Sequence, residues 1–110
     1  MSPVRRIASV IGIPDESIEE YERLHAAVWP EVLDRLSRSS MHNYSIFRYG
    51  NLLFSYLEYT GDDFEADQAA IAADPKTREW WTYTDPLQEA LPGRGEGEWW
   101  TTIPEVFHLD

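Results

Sequence analysis

The chain contains no cysteine, few basic residues and no apolar run that approaches the length of a membrane span. Without cysteine there are no disulfides, no thiol chemistry and no thiolate metal site. Nine Lys and Arg stand against 20 Asp and Glu, a net charge of -11. Phosphate binding needs a basic surface, so this balance argues against a nucleic-acid partner and against docking on an anionic membrane. A neutral or cationic small ligand is compatible with it. The N-terminus lacks the long apolar stretch of a signal peptide, which leaves a cytoplasmic location as the expectation. Histidine is scarce too: His25, His42 and His108 fall on different elements without ligand spacing, so no metal site is expected. No internal repeat or low-complexity tract is present.

What the chain does have is aromatic residues. Its 110 residues fit a single domain over 1–110 with a modest core. Aromatics make up 14% of it, with five Trp and six Tyr. A small core absorbs only part of that, so some rings are expected to line a site or a subunit interface.

Imperfect alternation over 5–12 predicts a first strand. Pro14 and Asp15 then open a helical stretch that runs to about residue 39, with Asp15 as a possible cap. Pro30 interrupts it, which predicts a kink or restart near Trp29. Residues 43–49 and 52–60 read as strands joined by Gly50-Asn51, a tight hairpin turn. Tyr44 and Ile46 share one face of this hairpin; Phe47 and Tyr49 share the other. Both faces are therefore apolar. Helices of the chain can cover one, and a second subunit is the natural cover for the other. A second helix is expected over 64–73, and Asp74-Pro75 restarts it as cap and first helical position. Residues 92–98, with three glycines, read as a mobile loop, and 99–109 as a last strand. The order βαββαβ predicts an α+β, ferredoxin-like fold, and two such sheets packed face to face would make a dimeric α/β barrel.

Within the first helix, Tyr21 and His25 stand four residues apart and so share a face. That face also carries Ile18, Leu24, Val28, Val32 and Leu36. A histidine on such a stripe is either a core residue with satisfied ring nitrogens or a general acid or base, because its unperturbed pKa lies near neutrality. Trp80 and Trp81 cannot both face one core, being adjacent on a helix. His42 and His108 read as structural, and Glu16, Glu19, Glu20 and Glu22 as a solvated helix surface.

Tyr21-x-x-x-His25, Trp29-Pro30-Glu31, His42-Asn43-Tyr44, Trp80-Trp81 and the closing Glu105-Val106-Phe107-His108-Leu109 occur together in this order. In that combination, over nearly its full length, the chain resembles the L-rhamnose mutarotase family. The resemblance implies a small dimeric α+β barrel that works without a cofactor and interconverts the α and β anomers of L-rhamnose. It further implies that His25 is the proton donor and that Tyr21, Tyr44, Trp80 and Trp81 contact the sugar. Ala26-Ala27 stands where the family pattern has Asn-Pro. The loop of 93–97 and the pair Trp99-Trp100 also depart from it. These departures bear on the rim of the site and hence on sugar choice.

The chemistry asks for such residues. Mutarotation opens a cyclic hemiacetal, so the anomeric hydroxyl loses a proton while the ring oxygen gains one. His25 fits the acid role; Tyr21, a carboxylate such as Glu31, or water could be the base. Tryptophan faces suit the apolar side of a deoxy-sugar, and tyrosine hydroxyls suit its hydroxyls. Two other functions fit the same fold: a non-catalytic ligand-binding module, and a cofactor-free monooxygenase acting on a flat aromatic substrate.

Overall fold

The computed structural model of the protein describes residues 4–110. Eight elements follow in order: β1 (Arg5–Gly12), α1 (Asp15–His25), α2 (Pro30–Arg38), β2 (Met41–Tyr49), β3 (Leu52–Tyr59), α3 (Phe64–Ala73), α4 (Pro75–Thr84) and β4 (Thr101–Ile103). A 3-10 turn (Asp85–Leu87) follows α4. The strands form one antiparallel sheet in the order β2-β3-β1-β4. This is the ferredoxin-like arrangement with each helical segment divided in two. No helix among the described residues is long and apolar enough to cross a membrane.

Proline makes both divisions. The residue before a proline is pushed out of helical geometry, and the proline itself suits the first helical position. Trp29 is accordingly extended (φ -61, ψ 135) ahead of Pro30. Asp74 is extended ahead of Pro75, and its carboxylate accepts the Thr77 amide at 2.9 Å. Asp63 caps α3 in the same way, accepting from the Ala66 amide at 3.1 Å. Each such cap is worth about 1 kcal/mol. Asp15 does not cap α1. Pro14 holds the cap position without a side-chain bond, while the Asp15 carboxylate accepts from Asn51 Nδ2 at 2.7 Å. The hairpin turn needs a residue at positive φ, and Gly50 supplies it at φ 57.

The register sorts the strand residues onto two faces. Ile11 pairs with Leu53 and Ile7 with Leu57, and this face packs against the helices. Ile11, Ile13, Tyr21 and Leu53 form one cluster; Met41, Tyr59 and Ile71 form another. Fully buried side chains such as Ile11 and Leu53 each contribute about 1.5–3 kcal/mol. Among the described residues, the opposite face carries no helix. There Phe47 pairs with Phe54 and Tyr49 with Leu52, and Phe47 and Tyr49 are 63% and 79% exposed.

Two stretches differ from the sequence expectation. The last strand is Thr101–Ile103, not 99–109. Pro104 has no amide to donate and ends the pairing with β1, and Val106, Phe107 and Leu109 are exposed. Glu105 instead pairs with the Arg6 guanidinium at 3.1 Å. The loop of 92–98, expected to be mobile, is closed by one side chain: Glu98 accepts from the Gly95 amide at 2.9 Å and from Thr102 Oγ1 at 2.7 Å.

Candidate active site

Tyr21 and His25 lie one helical turn apart in the last turns of α1, and their rings stack with centroids 4.1 Å apart. His25 Nδ1 lies 2.9 Å from the Tyr21 carbonyl oxygen. A carbonyl only accepts, so Nδ1 carries the hydrogen and the neutral ring presents its lone pair at Nε2. Burial of the imidazole lowers its pKa below the ordinary value, and the bond to Tyr21 opposes this only in part. His25 is therefore neutral at pH 7. Burial acts on the Tyr21 phenol in the other direction and pushes its pKa up to about 12; an amide hydrogen bond from Gln88 partly offsets the rise. At neutral pH the stack thus offers one acceptor nitrogen and one protonated phenol.

Trp80 closes the imidazole from the side. Its ring meets His25 edge-on at 5.4 Å and Trp29 at 5.2 Å, and Trp29 in turn meets Tyr83 at 5.7 Å. Trp80 is only 5% exposed. Trp81, the next residue on α4, faces away and is 37% exposed. It borders an outer groove with Arg78, Asp85 and Pro86. The pair is thus divided, as two adjacent helix positions require.

Tyr44 shares the inner face with Ile46, two residues on, and sits beside a backbone irregularity. Between His42 and Ser45 the register of β2 slips against β3, so that Asn43 and Tyr44 together oppose the single residue Leu57. Asn43 takes φ 49 to make this bulge, a conformation that asparagine tolerates better than most residues. Tyr44 keeps the face of Ile46 by ordinary alternation, opposite Leu57; what the extra residue changes is the next pair, setting Met41 rather than His42 on the helix side. The residue is 43% exposed overall, but burial of its phenol raises the pKa and its charge is felt at Tyr21.

The structure therefore brings Tyr21, His25, Tyr44 and Trp80 together and leaves Trp81 at the edge. His42 lies elsewhere, with Nε2 2.9 Å from Thr60 Oγ1, and His108 contacts Asp110 at 2.8 Å. Among the described residues no group of three or more His, Asp or Glu could hold a metal ion. Three residues near Tyr21 carried no motif. Gln88 donates to the Tyr21 oxygen at 3.2 Å, and Trp99 donates to Gln88 at 2.8 Å. Asp85 is the third; burial raises its pKa, and its charge in turn helps to raise that of Tyr21. Trp99 left a trace in the sequence, as part of a pair that departs from the family pattern.

The sequence model of the L-rhamnose mutarotase family matches residues 6–109. An L-rhamnose mutarotase from Phocaeicola vulgatus is 34% identical over 94 residues, covering 84% of this chain and 86% of its own. An L-fucose mutarotase from Xanthomonas campestris pv. campestris is 33% identical over 112 residues, covering 96% of this chain and 89% of its own. Among solved structures, an L-rhamnose mutarotase from Formosa agariphila superposes with a TM-score of 0.76 at 22% identity, over 96% of this chain and 99% of that one. At that identity the superposition shows the shared fold.

Proposed function

The chain belongs to the L-rhamnose mutarotase family, and from that premise we propose that it interconverts the α and β anomers of L-rhamnose by proton transfer at His25 and Tyr21. Membership makes it an isomerase acting on sugar anomers. The observation that carries the assignment of roles is the stacked pair itself. It holds a lone pair at His25 Nε2 beside a protonated Tyr21 phenol, and hemiacetal opening needs one proton acceptor and one donor at two oxygens of the same carbon.

In ring opening, Nε2 takes the proton of the anomeric hydroxyl, the bond from the anomeric carbon to the ring oxygen breaks, and that oxygen receives the Tyr21 proton. The free aldehyde turns about its bond to the next carbon. In closure the phenolate takes the proton back from the chain hydroxyl as it attacks, and the imidazolium donates to the carbonyl oxygen. His25 is thus the donor in closure and the acceptor in opening. Tyr44 and Trp80 contact the sugar, and Trp81 borders its entrance beside Asp85.

A second copy of the chain completes the assembly. The helix-free face of the sheet, with Phe47 and Tyr49 exposed, is an apolar surface that a homodimer buries; the exposed Val106, Phe107 and Leu109 add to it. Saturation-transfer NMR of the anomeric protons tests the activity on L-rhamnose and L-fucose. Accelerated exchange of L-rhamnose is the expected result. Binding without acceleration would make the protein a ligand-binding module instead.

A further inference from the structure

Gln88 and Trp99 form a hydrogen-bonded chain that ends on the Tyr21 oxygen, and its direction is fixed by chemistry. The indole N–H of Trp99 can only donate, so the atom of Gln88 that it meets at 2.8 Å must be the amide oxygen. The other arm of the amide, its NH2, then points to Tyr21 at 3.2 Å. The Tyr21 oxygen accepts that bond, and among the described residues it makes no other. Its own proton must therefore leave in a different direction. Had the amide been turned over, the phenol would donate to Gln88 and present only a lone pair to a ligand.

Both ends of this chain are anchored to β1. Gln88 precedes Glu89, whose amide and carbonyl each bond Gly12 at 2.8 Å. Gly12 has no side chain to prevent this approach, since a Cβ there would lie 2.8 Å from the Glu89 oxygen. Trp99 sits between Glu98, whose carboxylate closes the 95–98 turn and holds Thr102, and Trp100, which packs on the cluster of Ile11, Ile13, Tyr21 and Leu53. A loop that only closed the fold would not need a half-exposed indole aimed at one amide oxygen.

We propose that Gln88 and Trp99 are positioning residues that set the polarity of the Tyr21 hydroxyl, turning its proton towards the sugar. This rests on the reading of Tyr21 as the proton donor. The first experiment replaces Gln88 with glutamate, which has the same shape but only acceptors. It takes the Trp99 N–H on one oxygen and the Tyr21 O–H on the other, so the proton turns inward. Gln88→Glu is expected to lower kcat for anomer exchange by about tenfold or more, less than the ~10²-fold that loss of the proton donor itself costs, with the thermal midpoint little changed. Trp99→Phe, which frees the amide to rotate, is expected to lose less. In a Tyr21→Phe background neither change should slow the enzyme further, because the hydroxyl they act on is gone. Losses that add in full in that background would overturn the proposal, as a structural role would give that result.

A second readout needs no sugar. The indole signal of Trp99, identified by its loss in Trp99→Phe, should shift in the nitrogen–proton NMR spectrum of Gln88→Glu. The Tyr21 phenol, followed by its ζ carbon, should titrate at higher pH in that variant. An unchanged indole signal or an unchanged titration would overturn the proposed polarity. If the wild-type protein exchanged no sugar, these two signals would still decide the polarity of the hydroxyl, and only the enzymatic role would fall.

Discussion

The two faces of the sheet share the same four strands and have opposite fates. The helix side buries Ile11, Leu53 and Tyr59, and it hosts the Tyr21, His25 and Tyr44 cluster at one end. The open side shows Phe47 and Tyr49 to solvent. Alternating residues of a strand point to opposite faces, so one run such as 44–49 serves both surfaces at once. The inner face can hold precise chemistry because its helix-borne rings brace one another, Tyr21 on His25 and His25 against Trp80. The open face carries Phe47, Tyr49 and Phe54 at its hairpin end and Arg6 and Glu58 at the other.

The largest effect belongs to the inner face. His25→Ala should slow anomer exchange by about 10²-fold or more, the usual size of a general acid–base term, while the protein stays folded. Exchange at the wild-type rate in a folded variant, measured by saturation transfer alongside the thermal midpoint, would remove His25 from the mechanism.

The pH profile sharpens the same point. The imidazole pKa is lowered in the folded protein, so its accepting form predominates above that pKa. The exchange rate should be flat through neutrality and fall as pH drops through the folded value, which lies below the ordinary 6.5. The unfolded chain binds this proton more readily, so stability also declines as pH falls below about 6.5. A rate that rises on acidification would contradict the accepting role of Nε2 in ring opening.

The open face should respond in a different currency. Phe47→Asp with Tyr49→Asp places charge on the apolar surface and should weaken self-association by about tenfold or more, since burying an unpaired charge is costly. Sedimentation read beside the melting curve checks this. A double variant that sediments like the wild type would show that this face does not hold a second copy.

The smallest expected effect on activity sits where β1 meets the chain after α4. Gly12→Ala forces a Cβ to 2.8 Å from the Glu89 oxygen, which must move. A loss of about 1–3 kcal/mol in denaturant unfolding is expected, as for other overpacked sites. Because Gln88 moves with Glu89, activity should drop slightly more than stability alone accounts for.

Features set by neighbours in sequence were legible from the start. β1 runs from Arg5 to Gly12 as its apolar pattern predicts, and the hairpin turns at Gly50. The two prolines divide the helices where the residue before each one is forced out of helical geometry. The Tyr21 and His25 pairing is also local, a single helical turn. The end of the last strand was less so. Val106, Phe107 and Leu109 look like strand residues, but pairing stops at Pro104, and nothing short-range indicates what the apolar side chains beyond it will face.

The succession of elements, the helix breaks and the Tyr21 and His25 face thus follow from the sequence alone, because periodicity and turn chemistry act within a few residues. The tertiary structure alone decides three further matters. A bulge at Asn43 and Tyr44 sets Met41, not His42, on the inner face, and its extra residue is defined only against Leu57 on the neighbouring strand. Packing selects Trp80 over Trp81 for the buried place, since their spacing treats them alike. Gln88 meets Tyr21, 67 positions away, only because Glu89 pairs with Gly12 across the fold. Contacts of that kind depend on where distant backbone segments come to rest, and no local pattern of residues encodes them.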